Sequence, residues 1–394
     1  MDTTYDQLAR RAVDLLEASN RYRVIVLVIG SPGSGKSTLS DKVVERINKE
    51  YKKHRHASSL ESDSGTMDGI ACGSDGDSYD QHTNKGKLNL KSSEFLVRDV
   101  LIKQLGRFTK FDPEDVISVE DENFPPRLQT EGDRRVIHGR GTTIEIDSSL
   151  SPESHESSEE PEPELAQVIP MDGFHLPVAT LKKFEDPEFA ILRRGSPFTF
   201  DSTMVVTLIE LLTDTCIDIS DIQDGGQGDN QTRCESGDVR LNKGKPRDHK
   251  LGKYDILPGK ATGIPDIYIP DFDHALKDPT LNGIKIASTT RILIVEGLYL
   301  LLKQEPWCRI QTCLSSTKAP NESWKLEIDR QRASTRVARR HVSSGICQDL
   351  ESGLERYELN DGINRNLVDE HSYPCDLQIC SIDQPYGESN GFCK

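Results

Sequence analysis

Four residues pose the first chemical question. Gly30, Gly35, Lys36 and Ser37 stand in the spacing G-x-x-x-x-G-K-[ST], with Ser31, Pro32, Gly33 and Ser34 inside it and Thr38 after it. Glycines at such positions admit positive φ, so successive backbone N–H groups can converge on a polyphosphate. Lys36 would then reach the β- and γ-phosphates, and the Ser37 hydroxyl would bind Mg²⁺. The alternative is a glycine-rich turn with no ligand. Asp172, in the run Met171-Asp172-Gly173-Phe174-His175-Leu176, offers a carboxylate that would accept the proton of an attacking hydroxyl in phosphoryl transfer. It suits a turn or a helix cap equally well. Glu296 follows the run Arg291-Ile292-Leu293-Ile294-Val295, and an acid after an apolar strand is the form of a Mg²⁺-holding Walker B element. Arg330, Arg332, Arg336, Arg339 and Arg340 share a stretch free of helix breakers. They would close over ATP and neutralise the transferring phosphate, or form a solvated basic face paired with Glu327 and Asp329.

These groups need rigid placement. The run 24–29 is apolar throughout, as a strand buried on both faces is, and the stretch 39–48 has the apolar spacing of a helix. The phosphate-binding loop therefore lies between a strand and a helix, the context its chemistry requires. Further strands are expected at 168–171, 291–295, 310–314 and 377–382, with helical patterns between them and an amphipathic helix over 4–19. Alternation of this kind predicts an α/β fold with a parallel sheet and helices on both faces. Asp172 and Glu296 then fall at the carboxyl edge of that sheet, where open α/β folds bind ligands.

Not all of the 394 residues fit this frame. Between 53 and 165 the composition turns to Ser, Asp, Gly and Glu, and 145–164 holds eight acidic residues and no Lys or Arg. Such a segment buries too little apolar surface to offset chain entropy, so it reads as an acidic, mostly disordered insertion, solvated or open to a protein partner. One island at 93–108 has the apolar content of a docking helix. A second polar insertion spans 218–263. The folded core is thus expected over 1–52, 166–217 and 264–394.

A net charge of −16 argues against nucleic-acid binding and leaves a small phosphorylated ligand compatible. Nine cysteines at irregular spacing fit reduced thiols, and the two C-x₄-C pairs are not spaced as zinc ligands. No run reaches the ~20 apolar residues that cross a bilayer, so a soluble, cytoplasmic protein is expected.

The motifs together resemble the P-loop kinases of the uridine kinase, phosphoribulokinase and bacterial-type pantothenate kinase superfamily. Within it they are most similar to a fungal ATP-dependent kinase family related to bacterial fructose-transport-type kinases. The resemblance rests on residues 30–38, 171–176, 193–201, 270–273, 295–302, 336–341, 360–364 and 376–383, in the family's order. It implies a P-loop NTPase fold with a five-stranded sheet in the order 2-3-1-4-5, and transfer of the γ-phosphate of ATP to a hydroxyl of a small-molecule acceptor. By the same resemblance Asp172 is the catalytic base, Arg336 and Arg340 are lid arginines, and His175 and Arg194 are candidate acceptor contacts. The extra residues 315–323, between the expected fourth strand and the lid helix, set the chain apart from smaller bacterial relatives. A P-loop ATPase or GTPase-like regulatory protein without an acceptor is the rival reading, although no N-K-x-D guanine motif is present.

Overall fold

A computed structural model of the chain describes residues 2–62, 126–149, 162–222, 251–257 and 259–381. It opens with helix α1 (Asp2–Ala18), strand β1 (Val24–Gly30) and the long helix α2 (Lys36–Ser62). Short strands β2 (Arg127–Glu131), β3 (Arg134–His138) and β4 (Thr143–Asp147) precede β5 (Ala166–Pro170). A 3-10 turn over Met171–Phe174 leads to α3 (Val178–Leu181), α4 (Pro187–Leu192) and α5 (Ser202–Asp214). After α6 (Gly259–Thr262) come β6 (Asp266–Asp273), β7 (Asp278–Ile286) and β8 (Ile292–Gly297). The remainder is α7 (Cys308–Ser316), β9 (Asn321–Glu327), the arginine-bearing α8 (Arg330–Ser343), α9 (Leu350–Leu359), α10 (Asp361–His371) and β10 (Leu377–Cys380).

Five strands form a parallel sheet in the order β10-β9-β1-β8-β5. Numbered by their appearance in the chain and read from the β5 edge, this is the expected 2-3-1-4-5. The period of two along β1 divides two cores. Ile25, Leu27 and Ile29 pack with Leu293, Val295 and α5, while Val24, Val26 and Val28 pack with Leu8 of α1 and Leu39 and Val43 of α2. All seven β1 residues are buried, as the apolar run requires.

A second, antiparallel sheet, β2-β3-β4-β6-β7, lies against the first core through Ile137, Ile144, Ile146, Ile267, Ile269 and Ile286. Residues 127–147 therefore depart from the expected insertion without regular structure. Their alternating Ile and polar residues, TIEID in β4, give one face to bury and one to solvate. The end of α2 also extends into that segment, past the expected helix at 39–48. The island at 93–108 lies outside the described residues.

The strand expected at 310–314 is instead α7. Ile310 and Leu314, four apart, are its buried residues and share one helical face. The fourth strand of the parallel sheet is β9, whose Glu322 and Ser323 obscured an apolar pattern. Arg11 of α1 donates to Glu322, and Asp376 accepts from the Ser323 hydroxyl at 2.7 Å. Residues 315–323 thus finish α7 and begin β9. Among the cysteines, Cys380 is disulfide-bonded, contrary to the expectation of thiols only. Cys216, Cys308, Cys313, Cys347 and Cys375 are free.

Candidate active site

The loop 30–37 joins β1 to α2 with Gly33 and Gly35 at φ of +81° and +91°, a region that side chains strain to reach. The Ser34 N–H donates to Ser31 O at 3.0 Å, closing the turn, and Leu39 N–H donates to Gly35 O at 2.9 Å, starting the helix. A Cβ at Gly33 would sit 2.9 Å from Ala333 O, so this glycine also lets α8 approach the loop.

Three neighbouring strands deliver the other groups. β1 pairs with β8 so that Val28 faces Glu296, and β8 pairs with β5 so that Pro170 faces Glu296. Asp172 follows Pro170 by two residues, in the 3-10 turn. The carboxyl edges of β5, β8 and β1 therefore carry Asp172, Glu296 and the phosphate-binding loop side by side. The Ser37 hydroxyl bonds both Glu296 oxygens, at 2.9 and 3.0 Å. Burial raises the Glu296 carboxyl above its ordinary range, and the nearby Asp172 adds to this, while Lys36 and the Ser37 hydrogen bond pull it down. A buried carboxylate beside a hydroxyl is a pair of hard oxygen donors, the set that Mg²⁺ takes.

On the other side of the loop, α8 brings Arg336 Nη1 to Gly33 O at 3.0 Å and to the Ser381 hydroxyl at 3.1 Å. A cavity of about 450 Å³ lies here, lined by Gly33, Lys36, Thr38, Arg336, Arg340 and Ser381. The loop, Arg336, Arg340 and the end of β10 thus face one space.

His175 is half-buried and tied to the turn that carries Asp172. Its Nδ1 lies 2.8 Å from Asp172 O and its ring packs on Phe200 and Phe272, with centroids at 3.9 and 4.9 Å. A carbonyl only accepts, so Nδ1 carries the proton. Burial lowers the imidazole pKa, which favours this neutral form. Arg194 is likewise engaged: its Nη2 donates to Leu176 O at 3.1 Å and to Asp278 Oδ1 at 2.7 Å.

Several residues that support this site have contacts that the sequence did not reveal. Tyr299 is buried and its hydroxyl donates to Gly195 O at 2.6 Å. Asn360 and Asn364 donate to Arg194 O and Gly195 O at 3.1 and 3.2 Å, fixing the segment after α4. Gly173 allows β6 to pass behind Asp172, since a Cβ there would meet Pro270 O at 2.0 Å. All four lie in quoted motif segments, yet their partners are too distant in the chain for spacing to reveal.

The chain is similar to the ATP-dependent kinase YFH7 of Kluyveromyces lactis, with 36% identity over 373 residues that span 93% of this chain and 94% of the relative. The ATP-dependent kinase YFH7 of Saccharomyces cerevisiae is 32% identical over 381 residues, 93% of this chain and 95% of the relative. The crystal structure of YFH7 from Saccharomyces cerevisiae, described as a P-loop protein with a circular permutation, superposes with a TM-score of 0.65 at 30% identity. That match covers 96% of this chain and 99% of the other. No protein-family model matches the chain. Similarity of this degree along nearly the whole length, on a P-loop fold with its loop, acids and α8 arginines assembled, places the chain in the YFH7 family of ATP-dependent kinases.

Proposed function

We propose that the protein transfers the γ-phosphate of ATP to a hydroxyl of a small-molecule acceptor, with Asp172 as the general base. The observation that carries this reading is the alignment of Asp172, Glu296 and the loop 30–37 on three adjacent strand ends. Residues Gly30 to Thr38 hold the triphosphate, Lys36 by charge and the others, Pro32 apart, through backbone N–H groups and the α2 N-terminus. Ser37 and Glu296 would hold Mg²⁺, which when bound neutralises charge on the β- and γ-phosphate oxygens. Asp172 takes the acceptor's hydroxyl proton as its oxygen attacks the γ-phosphorus. The bond from that phosphorus to the β–γ bridging oxygen breaks, and ADP leaves. Arg336 and Arg340 reach the same space from α8 and stabilise charge on the moving phosphoryl group.

The test is ADP formation by the full chain with Mg²⁺-ATP, with and without pooled hydroxylated metabolites. Asp172→Asn is expected to retain nucleotide binding and lose transfer by about 10²- to 10⁴-fold, the usual worth of a general base. Lys36→Ala is expected to weaken nucleotide binding itself. ADP formation independent of any acceptor and unchanged in Asp172→Asn would instead favour a P-loop ATPase.

A further inference from the structure

In the cavity of about 450 Å³ beside the loop 30–37, the groups that suit phosphate make up only part of the wall. The rest is Tyr5 of α1, Leu326 of β9, Val337 of α8 and Ser381 just after β10. Among the described residues that line this space, Tyr5 is the one aromatic.

Two helices fix that ring beside the loop. Tyr5 stands near the start of α1, half-buried, and packs on the core that Leu39 and Val43 of α2 also join. Arg46 of α2 lies over the ring, with its guanidinium carbon 5.0 Å from the centroid. That guanidinium is held in turn by Asp6 at 2.6 Å and Asp2 at 3.0 Å. The start of α1 is thus pinned to the helix that the phosphate-binding loop opens, and Tyr5 keeps its place relative to Lys36 and Ser37. The Arg46 charge is matched by carboxylates of α1 itself. Burial and Asp2 raise the Tyr5 hydroxyl pKa, while Arg46 and Lys42 lower it, so the ring borders the cavity as an uncharged phenol.

A triphosphate seated on the loop continues into a ribose and a base, which need a wall beyond the loop's own charge. The wall that remains is aromatic and aliphatic with one hydroxyl, the chemistry that receives a flat heterocycle rather than a further anion. We infer that the Tyr5 ring packs against the base of the bound nucleotide, which makes α1 part of the nucleotide site. This rests on the nucleotide placement in the kinase reading above and not on the phosphoryl step.

The experiment is calorimetric titration of the full chain with two Mg²⁺-bound ligands: the imido analogue of ATP, and inorganic tripolyphosphate, which has the phosphates and no base. Tyr5→Leu keeps an apolar side chain on the core and removes the ring, whereas Tyr5→Phe keeps the ring and removes the hydroxyl. Tyr5→Leu is expected to weaken the ATP analogue about tenfold, within the usual worth of a base–aromatic contact, and to leave tripolyphosphate binding unchanged. Tyr5→Phe is expected to leave both affinities unchanged. An unchanged affinity for the analogue in Tyr5→Leu would overturn the inference, as would an equal loss for both ligands, which would assign Tyr5 to the fold of α1 alone. Either result leaves the kinase reading standing. Wild-type protein that binds neither ligand would overturn the nucleotide placement, and the kinase reading and this inference with it.

Discussion

Asp172 owes its position to His175, three residues further along the chain. The His175 Nδ1–H, donating to Asp172 O, ties down the 3-10 turn that carries the carboxylate, and the two aromatic rings hold the imidazole in place. His175→Phe preserves the stacking and removes one hydrogen bond, worth about 1 kcal/mol. A general base moved by a fraction of an ångström loses rate before it loses binding. The expected outcome is a fall in kcat of about tenfold with the KM values for ATP and acceptor unchanged. Initial-rate kinetics decide this, and a rise in acceptor KM with kcat intact would make His175 an acceptor contact instead. At this scale the sequence located Lys36, Ser37, Asp172 and Glu296 beside the carboxyl edge of the sheet, because each follows an apolar strand closely enough for local pattern to place it. The engagement of Arg194 was hidden, since Asp278, its carboxylate partner, lies 84 residues away.

Among the elements, α5 carries an acid whose titration bears on stability. Burial pushes the Glu210 carboxyl up to about 7, while Arg309 on α7, 3.5 Å away, pulls it down. The folded protein therefore keeps this proton to about pH 7, whereas the unfolded chain releases it near pH 4.5. Between those values the native state binds more protons, so stability falls as pH rises through the window and levels off above it. Glu210→Gln does not titrate. Relative to that variant, the wild type is expected to lose about 3 kcal/mol between pH 4.5 and pH 8, read from urea unfolding at the two pH values. A constant difference would mean that Glu210 is solvated in the fold. The same helix pair shows why some elements were misread. Ile310 and Leu314 in a short run look alike as strand or helix until their partner is known, and β9 hides its identity behind Glu322 and Ser323, polar residues satisfied by α1 and by Asp376. The P-loop strand posed no such difficulty, because six apolar residues in a row left one reading.

For the molecule as a whole, the joint between its two sheets runs through Asp201. This carboxylate, fully buried, accepts from the Arg140 N–H at 2.6 Å and the Thr142 hydroxyl at 2.8 Å, so the β3–β4 turn is fastened to the N-terminus of α5. Asp201→Ala leaves the buried Arg140 side chain without its carboxylate and is expected to cost about 2–4 kcal/mol. Faster amide exchange confined to 134–147 would locate the loss at this joint, whereas uniform exchange would argue that the sheets are held mainly by their shared isoleucines. This joint was not visible in advance, since it links a family motif to a segment whose composition resembled a solvated tail. The sheet's opposite edge has a different character. There Arg291 donates to Tyr22 O, Gly252 O and Asp255 O, Tyr22 bonds Leu257, and His54 near the end of α2 stacks on Tyr254. Running about 40 Å, α2 carries the chain from the phosphate-binding loop back to this edge. The chain also leaves the described structure at 149 and 222 and returns at 162 and 251 beside the same edge, through Asp147 paired with Asp266, Ile219 bonded to Asn20, and Leu165 bonded to Arg291. The molecule is therefore polar in an architectural sense: the loop 30–37, Asp172 and Glu296 face one pole, and the described residues that flank 150–161 and 223–250 lie at the other.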